Sequence, residues 1–177
     1  MKIAFELTDR DLRYFQNALK QSRNAVRYAE ESEILDAIRD VLDDIRSNAP
    51  LPDFVAHRIP QIESMIQMLS DEDWALPVKD RESVLAVFIY FGDPEDILPD
   101  DVPVIGYLDD VIVVELVMQE LRHVREAYAD FCEFRSKFDK QHGPNVDGAF
   151  RRDRIDRRRQ ALHQRMQRRT SKKTLSS

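Results

Sequence analysis

The residues best suited to chemistry are the carboxylates of one short stretch, FGDPEDILPDDVPVIGYLDD, at residues 91–110. Seven of its side chains are Asp or Glu, and it lies between two apolar runs, SVLAVFIYF and VIVVELVM. Carboxylate oxygens are the ligands that Mg²⁺ and Ca²⁺ prefer in proteins. One interpretation is therefore a divalent-cation site, with Asp96, Asp100, Asp109 and Asp110 as its candidate ligands.

The same acids also suit a purely structural role as helix caps. Asp93 followed by Pro94 combines an N-cap residue with a proline at the first helical position. Asp109 and Asp110 precede VIVVELVM, where they would face the unpaired N–H groups and the positive dipole end of a helix. The spacing of the acids is not that of an EF-hand loop. We expect no cofactor if the acids are caps, and Mg²⁺ or Ca²⁺ if they form a site.

A second distinctive segment lies at the C-terminus. Residues 151–177 carry a net charge of +9 and residues 1–150 a net charge of −15, which together give the total of −6. Arginine dominates the basic segment, and its planar side chain favours bidentate contact with phosphate or carboxylate groups. The candidate anion-binding residues are Arg151, Arg152, Arg154, Arg157, Arg158, Arg159, Arg165, Arg168 and Arg169.

Several anionic partners fit such a segment. Residues 151–173 could bind nucleic acid, an anionic membrane surface or an acidic protein. No aromatic residue follows Phe150, so nucleic-acid contact through this segment would involve backbone phosphates without base stacking. The alternative is a solvated tail that lies on the acidic body of the protein itself.

Helical periodicity organises the rest of the chain. Apolar residues recur at three-, four- and seven-residue spacing in five segments, at about 8–26, 30–47, 53–69, 81–91 and 109–140. Thr8 is the predicted N-cap of the first helix, and Pro60 should kink or split the third. We therefore predict an all-α fold, a bundle of about five helices with a proline-rich acidic helix-hairpin turn and a basic C-terminal tail.

These segments suggest a simple division of the chain. Residues 1–140 should form the helical bundle, in which residues 1–50 are an N-terminal helix hairpin. Residues 141–177 should form the basic tail, either disordered or helical. The apolar stripes of the first two helices could also bury against another subunit, so a homo-oligomer is possible.

The motif region carries a family resemblance. PEDILPDDVPVIGYLDD, at residues 94–110, resembles the core motif of the YkvA-like family, the domain of unknown function numbered 1232. The matching residues are Pro94, Asp96, Pro99, Asp100, Pro103, Gly106, Tyr107, Asp109 and Asp110. The resemblance extends over residues 83–121, whereas Glu95 and Asp101 place charges where the family usually has apolar side chains. It implies a small helical domain with motif residues that fix the hairpin, and no established activity.

Composition indicates a cytoplasmic protein. The only cysteine, Cys132, cannot form an internal disulfide, which suits a reducing compartment. No stretch reaches the ~20 uninterrupted apolar residues of a membrane span, so we expect no transmembrane segment. Glycine-rich phosphate loops, Gly-x-Ser-x-Gly and zinc-type cysteine pairs are missing from the sequence. We assign no catalytic residue. The missing motifs favour a non-catalytic protein and leave enzymatic activity open.

We predict a non-catalytic cytoplasmic interaction or scaffold protein, with an acidic helical body and a basic tail that recruits an unknown protein partner. One alternative is a divalent-cation-binding helical protein that uses the hairpin aspartates. The other is a nucleic-acid-binding protein that acts through the arginine-rich tail.

Overall fold

The apolar periodicity of the sequence appears as α-helix wherever the structure describes the chain. This computed structural model describes residue 6 and residues 8–47, 53–92 and 108–174, the last range without the side chains of 108–110 and 170–174. Every regular element in these ranges is helical, and they contain no strand. The predicted all-α fold class is confirmed.

The described ranges contain more helices than the five or so that we predicted. They are α1 (Asp9–Ala25), α2 (Glu31–Ser47), α3 (Asp53–Ala56), α4 (Ile59–Ser70), α5 (Val78–Phe91), α6 (Leu108–Glu120), α7 (Arg122–His142) and α8 (Gly148–Thr174). A short 3-10 turn, Val26–Tyr28, follows α1. The number is higher because two of the predicted helices are divided and because the basic segment is helical.

Each division has a local cause. Pro60 is the second residue of α4 and has no N–H to continue a helix that would run on from α3, so α4 begins one residue before it. Leu121 separates α6 from α7 because its backbone leaves helical geometry for one residue, at φ −85° and ψ 9°. Its carbonyl still accepts a hydrogen bond from the backbone N–H of Arg125, at 2.9 Å.

The predicted cap of α1 is confirmed. The hydroxyl of Thr8 accepts a hydrogen bond from the backbone N–H of Asp11 at 3.3 Å. The carboxylate of Asp11 in turn accepts one from the backbone N–H of Thr8 at 2.9 Å. This reciprocal capping box satisfies two backbone donors that the first turn leaves unpaired. The hydrogen bonds from the Thr8 side chain and backbone lower the pKa of Asp11.

The chain separates into two compact units. Unit 1 comprises Met1–Ile66 and Arg81–Val117, and unit 2 comprises Gln67–Asp80 and Met118–Ser177. Helices α4, α5 and α6 contribute residues to both units.

Unit 1 is held by apolar burial and a few ion pairs. Its buried side chains include Phe15, Leu19, Ile38, Leu42, Ile45, Ile62, Met65, Val84, Val87 and Val114. Arg81 forms two hydrogen bonds with the carboxylate of Glu31, and Arg58 pairs with Glu115 at 2.9 Å. Helix α5 is buried on most sides, as its continuous apolar sequence predicted.

Unit 2 contains the segment that we predicted as a basic tail. Residues 148–174 of that segment form α8, which packs against α7. The largest fully buried side chains of the unit are Trp74, Phe131, Met68, Leu121 and Ile155. No helix in the described ranges combines the length and the apolar character needed to cross a membrane.

Candidate functional site: the arginine helix

Helix α8 has one apolar edge in an otherwise charged sequence. Ile155, Leu162 and Met166 are spaced by seven and four residues, so they lie on one side of the helix. All three are buried, with no more than 4 % of each residue exposed. This narrow stripe fixes which side of α8 packs inward, and it thereby sorts the arginines into inner and outer groups.

The first inner arginines contact α7 and the loop that follows α4. Arg151 binds the carboxylate of Asp139 through Nε at 3.0 Å and Nη2 at 3.2 Å, and it reaches Asp73 at 3.4 Å. Arg159 donates to the backbone carbonyl of Asp73 at 3.2 Å. The hydrogen bonds to Asp139 raise the pKa of Arg151. These contacts join the first half of α8 to α7 and to the loop between α4 and α5.

The second half of α8 is joined to α7 in the same manner. Arg165 pairs with Asp130 at 2.6 Å, and Arg169 pairs with Glu126 at 2.9 Å. Glu126 also accepts a hydrogen bond from Arg122, four residues earlier on α7. The inner arginines are therefore already engaged within unit 2.

The outer arginines are differently placed. Arg154, Arg157 and Arg168 fall within about 60° of one another around the helix axis, at 100° per residue. All three are exposed. Arg157 has only an exposed pair with Asp153 at 3.0 Å, and in the described part of the chain Arg154 and Arg168 have no ion-pair or hydrogen-bond partner. We call Arg154, Arg157 and Arg168 the outer face of α8.

The remaining predicted anion-binding residues lie elsewhere on the helix. Arg158 lies over the ring of Phe134, 5.5 Å from its centroid. Arg152 is exposed, two residues before Arg154 and hence on the opposite side of α8. The nine predicted arginines thus divide into inner residues, outer residues, one cation–π contact and one separate exposed residue.

A half-buried polar cluster supports the loop against which α8 packs. The carboxylate of Asp71 accepts hydrogen bonds from both terminal nitrogens of Arg135, at 2.7 and 2.8 Å. It also accepts from the hydroxyl of Tyr128 at 3.0 Å and the backbone N–H of Trp74 at 3.1 Å. Burial opposes ionisation of Asp71, but the hydrogen bonds and charge of Arg135 outweigh it, so its pKa is lowered. Local spacing in the sequence gives no signal for this cluster, because Asp71 lies 57 residues from Tyr128 and 64 residues from Arg135.

Trp74 occupies the centre of this cluster. It is 0 % exposed and its ring lies 5.2 Å from Phe131, 5.6 Å from Tyr128 and 4.6 Å from His163, centroid to centroid. The next residue, Ala75, has φ +47°, a left-handed conformation that costs a residue with a Cβ on the order of 1 kcal/mol. The hydrogen bonds of Asp71 and the burial of Trp74 hold the loop in this conformation.

The ring of His163 links α8 to Trp74 and makes the stability of unit 2 depend on pH. Burial and the charge of Arg159 lower the pKa of His163, despite its hydrogen bond to the backbone of Trp74. The unfolded chain therefore binds more protons at this residue, and stability should fall as pH drops below about 6.5. The pKa of Asp71 is also lowered, so protonation of its carboxylate should lower the stability of unit 2 further below about pH 4.

Urea unfolding at pH 8 and pH 5 would be monitored through the fluorescence of Trp74, the only tryptophan of the chain. We expect a lower urea midpoint at pH 5. A His163→Gln variant should show a smaller difference between the two pH values. If the urea midpoints of that variant at pH 8 and pH 5 differed as much as those of the wild type, the pH dependence could not be assigned to His163.

The predicted metal ligands and motif residues lie mostly outside the described residues. Asp96 and Asp100 do so, together with Pro94, Pro99, Pro103, Gly106 and Tyr107. Asp109 and Asp110 lie in the first turn of α6, and only the backbone of these two residues is described. Within the described ranges no group of three His, Cys, Asp or Glu side chains could hold a metal ion. A cation site at the hairpin acids stays a prediction.

Comparison with known proteins gives one match. No curated protein and no solved structure matches the chain. A family model described as "Protein of unknown function (DUF1232)" matches residues 83–116, a short part of the 177-residue chain that ends before α7 and α8 begin. The resemblance seen in the motif is confirmed over this segment: residues 83–116 are a match to the DUF1232 family.

Proposed function

We propose that this is a non-catalytic cytoplasmic interaction protein, and that the outer face of α8 is the surface through which it binds an anionic partner. The proposal keeps the recruiting role that the sequence predicted for the basic segment. It moves that role from a free tail to one side of a packed helix.

The division of the arginines carries this proposal. The inner arginines pair with Asp73, Asp130, Asp139 and Glu126, so they contribute to the packing of α8. The outer face contributes little to folding, because its three side chains are exposed and the one pair among them is a surface pair. Arginines with no structural task on a folded helix are typical of a surface that binds carboxylate or phosphate groups.

The dimensions of the outer face suit an extended partner. From Arg154 to Arg168 the helix rises roughly 21 Å, at 1.5 Å per residue. Ala161 and Gln164 lie between these arginines on the same side. A partner with several negative charges along its length could contact the whole face at once.

The test is a charge reversal that leaves the fold intact. We expect the variant Arg154→Glu/Arg157→Glu/Arg168→Glu to recover at least tenfold less of each partner than the wild type does, in quantitative affinity capture from a cytoplasmic extract. The inner arginines stay unchanged, so α8 should remain packed, which the fluorescence of Trp74 would verify.

A matched control makes the same change in charge on α1 and the turn that follows it. Arg13, Lys20 and Arg27 are exposed, and Arg13→Glu/Lys20→Glu/Arg27→Glu should keep wild-type recovery. Equal recovery with the outer-face variant and the wild type would refute the proposal. Loss of the partner on nuclease treatment would identify it as nucleic acid, and resistance would identify an acidic protein.

A further inference from the structure

A groove between the end of α7 and the start of α8 combines aromatic rings with positive charge. Its volume is about 350 Å³, and its aromatic lining comprises Phe134, Phe138, His142 and Phe150. Lys137 and Arg154 line it as well, and no carboxylate does. We call this cavity the α7/α8 groove; it lies within unit 2.

The aromatic floor is built by side chains that stack on one another. The ring of Phe138 lies parallel to that of His142 with 4.1 Å between centroids, and Phe150 lies 5.9 Å from both. His142 is held in place because its Nδ1 donates a hydrogen bond to the backbone carbonyl of Phe138, at 2.9 Å. The floor is therefore preformed.

Phe150 is exposed even though α8 is packed. It remains 45 % exposed, which makes it one of the few large apolar side chains of the described chain that face solvent. The backbone N–H of Phe150 donates to the carboxylate of Asp147 at 2.8 Å, so the first turn of α8 is capped and fixes the position of this ring. An exposed aromatic side chain on a rigid element beside unpaired positive charge is typical of an interaction surface.

The charges select the kind of ligand. Arg154 has no ion-pair partner within the described ranges, and Lys137 has an exposed pair with Glu133. A ligand must therefore offer carboxylates or phosphates next to an apolar group. The groove presents two cations, Lys137 and Arg154, among its aromatic rings. An apolar side chain flanked by a few carboxylates matches this lining in both shape and charge more closely than a continuous phosphate backbone does.

We propose that the α7/α8 groove binds a short acidic peptide segment of a partner protein, with an aromatic or aliphatic side chain against Phe138 and Phe150 and a carboxylate on Arg154. The inference rests on the proposed function and deepens it, since it assigns the chemistry of the partner and the end of the outer face where it binds. Residues 151–177 contain no aromatic residue, and α7 supplies Phe134 and Phe138 beside Arg154.

The probe is the peptide Glu-Asp-Phe-Leu-Glu-Asp-amide, labelled with fluorescein at its N-terminal amine and titrated with the full-length protein in fluorescence polarisation. We expect saturable binding that weakens at least tenfold in Arg154→Glu and in Phe150→Ser. Arg154 is exposed, so its substitution tests the groove even if Phe150→Ser loosens the first turn of α8. Arg152→Glu is the matched control, with the same charge change on the opposite side of the helix, and should weaken binding less than twofold.

Two further probes distinguish groove binding from charge attraction alone and from nucleic-acid binding. A peptide with Ser in place of both Phe and Leu should bind at least tenfold more weakly, and equal binding would overturn the role of the aromatic floor. A single-stranded oligouridylate of similar length should bind more weakly than the acidic peptide. Tighter binding of the oligouridylate that depends on Phe150 would overturn the peptide assignment in favour of nucleic acid. Absence of peptide binding would also overturn it.

The outcomes separate this inference from the proposed function. Arg168→Glu changes the outer face roughly 21 Å from Arg154 and should leave peptide binding unchanged. If Arg168→Glu lowers partner capture while the peptide does not bind, the outer face stands and the groove assignment fails. If the peptide binds the groove while the outer-face variant captures partners normally, the groove stands and the proposed function fails.

Discussion

Ending the chain at residue 150 should unfold unit 2 rather than remove a dispensable tail. The truncation deletes Ile155, Leu162 and Met166, all buried, and complete burial of each such side chain contributes roughly 1.5–3 kcal/mol. Their sum is comparable to the whole unfolding free energy of a small domain, about 5–15 kcal/mol. Trp74 would lose its contact with His163, so its emission should shift to longer wavelength and the helical circular dichroism should fall.

Point variants of the full-length chain refine this test. Leu162→Ala should lower the free energy of unfolding by about 2–5 kcal/mol, because it leaves a cavity beneath α8. Gln160→Ala, an exposed site two residues away, should change it by less than about 0.5 kcal/mol. A truncated chain that kept wild-type emission and the same cooperative unfolding midpoint would show that α8 is not part of the folded unit.

Replacing Arg135 with methionine should destabilise unit 2 by about 3 kcal/mol. The substitution keeps much of the apolar volume but removes both charged donors from Asp71, whose side chain is only 9 % exposed. An ionised carboxylate left without its partner in such a site costs about 3–5 kcal/mol when fully buried, and partial exposure of Arg135 places this pair near the lower end. Urea unfolding followed by Trp74 fluorescence measures the loss.

Two variants show whether the unpaired carboxylate of Asp71 causes the stability loss expected for Arg135→Met. Adding Asp71→Asn to Arg135→Met should recover part of the lost stability, because the second substitution removes the buried charge. Arg122→Met removes an exposed arginine that pairs with Glu126 at 3.0 Å, and it should cost less than about 1 kcal/mol. Equal losses for Arg122→Met and Arg135→Met would mean that the buried pair contributes no more than a surface pair.

The sequence contained enough information for the fold class and for several local features. Periodicity predicted the helices, and the capping box of Thr8 and Asp11 follows from residues three apart. The spacing of Ile155, Leu162 and Met166 is also helical, but three apolar residues are too few to show whether the segment packs against the protein. Contacts set by local spacing are the ones that a single sequence reveals.

The candidate site depends on contacts that local spacing does not encode. Arg135 and Asp71 are 64 residues apart, and Arg159 meets the backbone of Asp73 across 86 residues. Nothing near Asp71 and Asp73 in the sequence indicates which of these acids is the more buried. The groove likewise joins Phe150 to rings of another helix. Net charge per segment therefore overstated how much of the arginine charge is free.

Pairing the inner arginines with acids also changes the electric field that an approaching molecule meets. Opposite charges a few ångströms apart cancel at distances beyond the Debye length, about 8 Å in physiological salt. These ion pairs contribute little at longer range, so the positive potential of α8 comes mainly from its outer face and not from all nine arginines. Steering of an acidic partner toward α8 should therefore depend on the outer face, and charge reversal there should lower the association rate constant most at low ionic strength. Selectivity among acidic partners would then arise from how long each stays bound.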